Sequence, residues 1–455
     1  MKTCARTSIS DLPQPRQWSP CPPSSPRIFR FAATVVALWL TGCGTPAVEG
    51  GTDSASTRAP VTRGEGAQTR LAATKAPGGL SLICTTSRGL CFNQRPLASG
   101  QACTCADAAS MVAGRTADSV PVNTTPDLAA VVDVFFATDR NRTASNEPSR
   151  MFGATRAAIT YGVARVSIPA THQTGYLEAP STLVRLRFLE NAKRHVLVLE
   201  ANELSNDAYF ANVQGRLSSS PREDAFIFVH GFNATFEDGV RRTGQIAYDL
   251  GFRGAPVLYS WPSKGSPTPL GYAADSQMIE WSTEVIKTFI EDFLNKTSAK
   301  NIYLIAHSMG TQALTRSLIS LVGAHPEMRS RIKEIILAAP DIDAGIFKRD
   351  IAPVMVNMGR PITLYASSED RALKLSRLAH DYPRAGDSGA GLVLVKGIET
   401  IDATDVDTSF LGHSTFAEAR EVLTDWRFII DRGLRANERG LRQVSSEVPY
   451  WQFAK

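Results

Sequence analysis

The fold is decided by residues Asn301–Gly310, which read NIYLIAHSMG. Mostly apolar residues that favour β-structure run directly into a short turn centred on Ser308, and residues 311–321 then follow a helical pattern. A buried strand, a sharp turn carrying one serine and a helix form a nucleophile elbow. This geometry lifts the Ser308 hydroxyl out of the sheet and directs the backbone N–H of Met309 towards a developing oxyanion. Ala306 stands where glycine is commoner, and its small side chain still suits the crowded turn.

The composition is that of an ordinary globular protein. The 455 residues are 43% hydrophobic and 20% charged, and the net charge is +5. Most of this charge lies in residues 1–42, which hold five basic residues and one acid, so the remainder is almost neutral. We therefore expect no nucleic-acid partner. No apolar run reaches the ~20 residues that a mature transmembrane helix requires.

Strand and helix patterns predict an α/β fold over residues 127–435. Three strands come first without helices between them, at 131–136, 161–168 and 195–200, and are expected to pair antiparallel. From Ala225 onwards the two patterns alternate. The predicted strands are 225–229, 255–259, 301–306, 332–338, 362–366 and 396–402, and the predicted helices are 236–250, 281–294, 311–321 and one from about 370. This alternation predicts a mostly parallel sheet with helices on both faces. Residues 436–455 are expected to form a C-terminal tail.

A nucleophilic serine needs a base, and the base needs an orienting acid. In parallel α/β sheets such groups gather at the carboxyl ends of the strands. His413 lies in a loop after the last predicted strand and is the expected base. Asp370 and Asp341 each follow a predicted strand, and both give the chain order serine, acid, histidine. Asp370 is preferred because its strand directly precedes the one that leads to His413, and Asp341 stays the alternative.

A second oxyanion donor is expected in the loop after the strand at 225–229. Gly231 allows a close backbone turn there, and the N–H of Phe232 can then face the site. His230 is interpreted as a structural residue of this loop. The sequence has no metal-ligand spacing, no phosphate-binding glycine loop and no dinucleotide fingerprint, so we expect no metal and no cofactor.

The N-terminal residues resemble an export signal. A basic flank precedes the uncharged run from Phe31 to Leu40, and small residues follow it. Cys43 comes directly after Leu-Thr-Gly, which resembles a bacterial lipobox. This resemblance implies a lipoprotein signal peptide over 1–42, cleavage before Cys43 and a lipid on its side chain. The alternative is a short buried helix.

Residues 43–126 are predicted to be a flexible tether because Gly, Ala, Thr, Ser and Pro dominate and periodicity is weak. Four cysteines lie within it: Cys84, Cys91, Cys103 and Cys105. In an exported chain this number favours two disulfides over a metal site, and three pairings are possible.

Together these motifs resemble the α/β-hydrolase superfamily, and most closely an uncharacterised bacterial family described as esterase/lipase-like. The resemblance covers about Val131 to Leu434. Its matching pieces are Val134–Asp139, Val166–Pro169, Phe228–Asn233, Tyr259–Pro262, Ala306–Gly310, Ala338–Asp341, Leu364–Asp370 and Gly412–Ser414. It implies Ser308 as nucleophile, His413 as base, a carboxylate most like Asp370, and about eight strands with one antiparallel. It implies no particular substrate.

The expected function is that of a serine hydrolase acting on a small-molecule or lipid ester through an acyl-enzyme. The expected location is the bacterial cell envelope, where a lipid on Cys43 would anchor the chain to a periplasm-facing membrane. The alternative is a binding or scaffold lipoprotein that keeps the fold without turnover. Ser308, His413 and an acid at predicted strand ends favour the enzyme.

Overall fold

The chain, seen here in a computed structural model, contains a small antiparallel sheet before its main sheet. The structure describes residues 80–86, 89–98, 102–107, 110–116, 128–178, 191–368, 376, 382–404, 406 and 420–453. The first four strands are β1 (Leu80–Thr86), β2 (Gly89–Ala98), β3 (Ala102–Asp107) and β4 (Ser110–Thr116). They lie in the order β2-β1-β4-β3, with antiparallel pairing throughout.

This sheet differs from the flexible tether predicted for residues 43–126. Composition indicated too little apolar surface for order, but strands that are close in sequence pair at a small cost in loop-closure entropy. The register places Cys84 opposite Cys91, whereas Cys103 and Cys105 both lie on the edge strand β3. The predicted disulfides stay a prediction. The predicted signal peptide and Cys43 lie outside the described residues.

Within the described residues, the main sheet has eleven strands, in the order β14-β15-β13-β12-β11-β10-β8-β9-β5-β6-β7. The strands are β5 (Leu128–Arg142), β6 (Phe152–Pro169), β7 (Leu197–Leu204), β8 (Asp224–Val229), β9 (Ala255–Ser260), β10 (Asn301–His307), β11 (Ile332–Ala338), β12 (Ile362–Ala366), β13 (Glu399–Asp402), β14 (Arg442–Val444) and β15 (Tyr450–Gln452). All pairs from β15 through to β5 are parallel. The predicted α/β fold with a mostly parallel sheet is confirmed, with more strands than the expected eight.

Both ends of the main sheet are antiparallel. Strands β5, β6 and β7 form the predicted antiparallel meander. At the other end β14 runs antiparallel to β15. Residues 436–455 therefore contribute strands to the sheet, which differs from the predicted tail. Each of these strands has three residues, too few for a strand pattern to be recognisable.

Helices cover both faces of the main sheet. They are α1 (Pro148–Met151), α2 (Asn206–Ser218), α3 (Phe236–Asp249), α4 (Pro269–Lys296), α5 (Gly310–Ala324), α6 (Ala344–Ile346), α7 (Ala352–Asn357) and α8 (Arg420–Arg427). Short 3₁₀ or π turns occupy Pro326–Arg331, Phe347–Ile351, Gly389–Gly391, Phe428–Arg432 and Ala436–Glu438. None of the helices in the described part of the chain is long and apolar enough to cross a membrane.

Two apolar cores follow from the alternation of side chains along the buried strands. In β8, Ile227 belongs to the core that includes Phe289 of α4, whereas its neighbour Phe228 belongs to the core that includes Val240 of α3. Helix α4 begins earlier than the predicted residue 281, because Thr268 caps it by accepting a hydrogen bond from the N–H of Gly271. This longer helix brings its first turns to the carboxyl edge of the sheet.

Candidate active site

The turn between β10 and α5 holds Ser308 in a strained conformation. Its φ is +49°, in the left-handed region that residues with a side chain seldom adopt. Two backbone hydrogen bonds fix the turn: Ser308 N–H donates to the Ala338 carbonyl at 2.9 Å, and Thr311 N–H donates to the Ser308 carbonyl at 3.1 Å. The Ser308 hydroxyl is buried and has no hydrogen-bond partner within the described ranges. The turn at Ser308 therefore has the strained backbone geometry that a nucleophile elbow requires.

Glycines at two positions let the neighbouring backbone approach this turn. A Cβ at Gly310 would lie 2.4 Å from the His230 carbonyl oxygen. A Cβ at Gly231 would lie 2.7 Å from Nδ1 of His307 and 2.9 Å from Cβ of Ser308. Since real Cβ atoms essentially never approach so closely, no larger residue fits at either position without displacing backbone. The loop after β8 is thus packed directly against the serine turn.

The loop after β8 and the serine turn each contain one backbone N–H group that was predicted as an oxyanion donor. Those of Phe232 and Met309, the predicted oxyanion donors, make no hydrogen bond to any part of the chain that the structure describes. Phe232 is followed by Asn233, which also has a positive φ, of +59°. The N–H of Asn233 donates to Oδ2 of Asp275 at 3.4 Å, and this turns the loop back towards α4.

The buried side chain of Arg140 holds the loop after β8 in place. Arg140, on β5, is 1% exposed. Its Nη2 donates to the Ala234 carbonyl at 2.7 Å, and its Nη1 donates to the carbonyl of Ser263 at 2.9 Å. Its Nε donates to the hydroxyl oxygen of Ser260 at 2.9 Å. Burial lowers the pKa of Arg140 to about 10, which still leaves the guanidinium charged at neutral pH. Arg140 therefore ties the loops after β8 and β9 to β5.

Asp275 of α4 joins the same two loops from the other side. Its Oδ2 accepts from the Ser263 hydroxyl at 2.6 Å, and its Oδ1 accepts from the Lys264 N–H at 2.7 Å. The Ser263 hydroxyl oxygen in turn accepts from the N–H of Ala234 at 3.2 Å. Burial raises the pKa of Asp275, and the hydrogen bond from Ser263 opposes that rise. These bonds make the loop after β8 part of a fixed polar network.

Arg140 and Asp275 were not among the site residues predicted from the sequence. Both are remote in sequence from Phe232, and the one available signal was the charged pair Asp139-Arg140 at the end of an apolar strand. His307, which directly precedes Ser308 in the sequence, is buried. Burial lowers its pKa to about 3, so its side chain is neutral.

Asp341, the alternative acid, lies beside the serine turn and accepts hydrogen bonds from three other side chains. Its Oδ1 accepts from Nε of Arg384 at 2.8 Å and from the Ser376 hydroxyl at 2.5 Å. Its Oδ2 accepts from the Tyr272 hydroxyl at 2.8 Å. Both residues of the Arg384–Asp341 ion pair are buried. A carboxylate held in this way is suited to fixing the loop after β11, and these bonds leave Oδ2 with one further acceptor site.

Asp370 and His413, the preferred acid and the expected base, lie outside the described residues. The strands that lead to them end at Ala366 and Asp402, and these ends lie next to each other in the β12–β13 ladder. The assignment of the two residues stays a prediction. Within the described ranges, no group of three His, Cys, Asp or Glu side chains is arranged to hold a metal ion.

The sheet, its helices and the serine turn define an α/β-hydrolase. Residues 205–432 match the family described as "Alpha/beta hydrolase of unknown function (DUF900)". This match spans half of the sequence, and the chain belongs to that family. It begins just before α2 and ends with the turn after α8, so it includes Ser308, Asp370 and His413.

Comparison with curated proteins finds no match. Among solved structures, the chain is similar to one titled "putative cell surface hydrolase from Lactobacillus plantarum WCFS1", with 12% identity and a TM-score of 0.31, over 48% of this chain and 96% of that one. It is also similar to Aspergillus fumigatus lipase B, with 15% identity and a TM-score of 0.21, over 32% of this chain and 38% of the lipase.

Proposed function

We propose that this hydrolase is a serine esterase that works through an acyl-enzyme. Ser308 Oγ attacks the carbonyl carbon of an ester while the imidazole of His413 takes the hydroxyl proton. The N–H groups of Phe232 and Met309 stabilise the resulting oxyanion. Collapse of the tetrahedral species releases the alcohol, which receives the proton from His413. Water then attacks the acyl-enzyme by the same route, and Asp370 orients the histidine in both halves.

The observation that carries this proposal is the state of Ser308. A residue with a side chain holds a positive φ, which costs about 1–3 kcal/mol, and its hydroxyl is buried without a partner within the described ranges. Such strain concentrates at functional sites, and an unpartnered buried hydroxyl has no structural role to explain it. The N–H groups of Phe232 and Met309, which have no hydrogen-bond partner among the described residues, support the second half of this proposal, an oxyanion site.

A serine-directed fluorophosphonate probe tests this proposal. We expect the full chain to be labelled and the Ser308→Ala variant to remain unlabelled. Ser317→Ala is the matched control, because the Ser317 hydroxyl lies on α5 and donates to the Thr283 carbonyl at 2.7 Å. This control is expected to label like the wild type. A panel of esters of graded acyl length then identifies the preferred acyl group.

A binding or scaffold protein with the same fold is the alternative. It predicts a folded chain that the probe does not label and that hydrolyses none of the esters, with equal thermal stability in the Ser308→Ala variant. The retained strain at Ser308 favours the enzyme, because a scaffold gains nothing from a backbone conformation that costs stability.

Envelope anchoring through Cys43 is part of the same proposal, supported by the lipobox-like residues before this cysteine. In a bacterial host that processes lipoproteins, metabolic labelling with an alkyne fatty acid is expected to tag the protein. The Cys43→Ser variant should lose the tag and leave the membrane fraction. Lipid anchoring would be contradicted if the wild-type protein took up no tag, or if the Cys43→Ser variant stayed in the membrane fraction.

A further inference from the structure

The peptide bond between Gly231 and Phe232 lies next to the side chain of His230, which can donate a hydrogen bond to it. The Phe232 N–H is a proposed oxyanion donor, and the carbonyl of Gly231 belongs to the same peptide unit. Nδ1 of His230 lies 2.9 Å from this carbonyl oxygen. The His230 ring is buried and stacks on Trp261, with ring centroids 5.1 Å apart and planes 17° from parallel. The Trp261 Nε1–H donates to the His230 carbonyl at 2.7 Å, so both side chains are fixed.

The neighbours of the imidazole determine its tautomer. A carbonyl oxygen only accepts, so Nδ1 must carry the proton that it shares with Gly231. On the other side, Nε2 lies 3.4 Å from Nη2 of Arg140 and 3.2 Å from the Ser260 hydroxyl. Arg140 only donates. The Ser260 oxygen already accepts from Arg140 Nε at 2.9 Å, which leaves its own proton free for Nε2. His230 is therefore a neutral imidazole with its proton on Nδ1.

The surrounding charges keep His230 in this state. Burial lowers its pKa to about 3, and the positive charge of Arg140 adds to the effect, while hydrogen bonds to the Gly231 and Trp261 backbones oppose it. The other titratable neighbour, His307, also lowers this pKa. No protonation of His230 is thus expected across the range in which the protein is folded.

We propose that Arg140 and His230 polarise the Gly231–Phe232 peptide and so strengthen the oxyanion donor. The guanidinium and the Ser260 hydroxyl donate to Nε2, Nδ1–H donates to the Gly231 carbonyl, and the Phe232 N–H at the other end of that peptide faces the developing negative charge. Hydrogen bonds in such a chain reinforce one another in a low-dielectric interior. His230 and Arg140 are positioning residues, since neither touches substrate. This inference rests on the proposed function, because it requires an oxyanion at Phe232.

Two replacements of His230 separate polarisation from packing. His230→Phe keeps a ring to stack on Trp261 but removes the donor to Gly231. His230→Asn places an amide N–H near the position of Nδ1 and restores the donor. Since loss of an entire oxyanion donor costs 10²–10³-fold in kcat, weakening one is expected to cost about 10-fold. We expect His230→Phe to lower kcat by about 10-fold with KM changed less than about twofold, and His230→Asn to recover most of the loss.

Binding of a boronic acid adds a readout that loose packing would not produce. The boronate forms a tetrahedral adduct with Ser308, so its affinity should fall with kcat in His230→Phe and recover in His230→Asn. Should His230→Phe fail to fold, the comparison is made between His230→Asn and the wild type, and ¹⁵N-histidine NMR of the full chain reads the tautomer directly. We expect a neutral Nδ1–H signal that does not titrate between pH 5 and 9.

The outcomes distinguish this inference from the function on which it rests. Wild-type protein that the fluorophosphonate probe does not label overturns both. Labelled protein with unchanged kcat in folded His230→Phe, or with an Nε2–H tautomer in the wild type, overturns the polarisation alone. Substrate and boronate binding could both weaken in His230→Phe without recovering in His230→Asn. That result would assign His230 to packing and would also overturn the polarisation.

Discussion

Ser308 combines the chemistry of the site with a local loss of stability. Its positive φ is unfavourable for serine and for alanine, but glycine adopts it freely. Replacing Ser308 with glycine is therefore expected to raise the free energy of unfolding by about 1 kcal/mol relative to Ser308→Ala, although both variants lack the hydroxyl. Urea denaturation of the two variants measures the difference. Equal stabilities would show that the turn carries no strain.

Asp341 and Asp370 are distinguished by what their removal should change. Asp341 neutralises the buried Arg384, so Asp341→Ala leaves an unpaired buried charge and is expected to cost about 3–5 kcal/mol in stability. Asp370→Ala is expected to lower kcat by about 10⁴-fold with a smaller change in stability. Thermal unfolding and ester hydrolysis, measured on both variants, give the comparison. Near-wild-type kcat in Asp370→Ala would return the role of the acid to Asp341.

His172 connects the segment after β6 to helix α3 through hydrogen bonds. Its Nδ1 lies 2.7 Å from Oε2 of Glu178, and its Nε2 lies 2.7 Å from Oδ1 of Asp249. Burial lowers the pKa of His172, but the hydrogen bonds to the two carboxylates more than offset this and raise it to about 9. An imidazolium held between two carboxylates stabilises the fold as long as it keeps its second proton.

This arrangement predicts a stability that depends on pH. Because the folded pKa lies above the unfolded value of about 6.5, the contribution is complete below that pH and is lost as pH rises through about 9. The shift corresponds to roughly 3 kcal/mol. Urea unfolding at pH 6.5 and at pH 9.5 should show this loss in the wild type. The His172→Gln variant corrects for other titrating groups, and an identical pH dependence in both proteins would contradict the assignment.

The register of the small sheet favours one of the three possible disulfide pairings. Residues directly opposite each other in an antiparallel ladder have Cα atoms about 4.5–5.5 Å apart, within the range for a disulfide. Cys84 and Cys91 occupy such a pair of positions in β1 and β2. We expect a Cys84–Cys91 disulfide when the chain is in an oxidising compartment. Mass spectrometry of a non-reducing digest identifies the linked peptides, and a bridge from Cys84 to Cys103 or Cys105 would contradict the register.

The C-terminal residues contribute strands β14 and β15 to one end of the main sheet. Arg439 has a fully buried side chain, and its guanidinium lies 3.0 Å from Oδ1 of Asp425 and 3.4 Å from Oε2 of Glu399. Arg439→Met is expected to cost about 3 kcal/mol, because it breaks the ion pair of the buried Asp425. The control is Arg442→Met on the exposed face of β14, which should change stability by less than about 0.5 kcal/mol. Equal denaturation midpoints would contradict this role.

The sequence predicted the parts of the fold that depend on local patterns. Buried parallel strands such as β8 and β10 are continuous apolar runs, and the turn residues between them mark their ends. The three-residue strands β14 and β15 lack such a pattern, because their position depends on pairing with distant residues. In the site, Ser308 followed from a local motif. The partners of Arg140 come from three separate segments, so only the folded chain brings them together.

Ser367, directly after β12, and Gly386, which follows Asp370 in the sequence, lie next to each other. The N–H of Ser367 donates to the Gly386 carbonyl at 2.9 Å, and the N–H of Gly386 donates to the Pro340 carbonyl at 2.8 Å. A Cβ on Gly386 would lie 2.5 Å from the Ala339 backbone, so this closure depends on glycine. Because the two ends are joined, lengthening the intervening segment adds only a small loop entropy. Exchange of residues 368–385 between family members is therefore expected to leave the sheet in place only where the incoming segment keeps Ser376 and Arg384, the buried partners of Asp341.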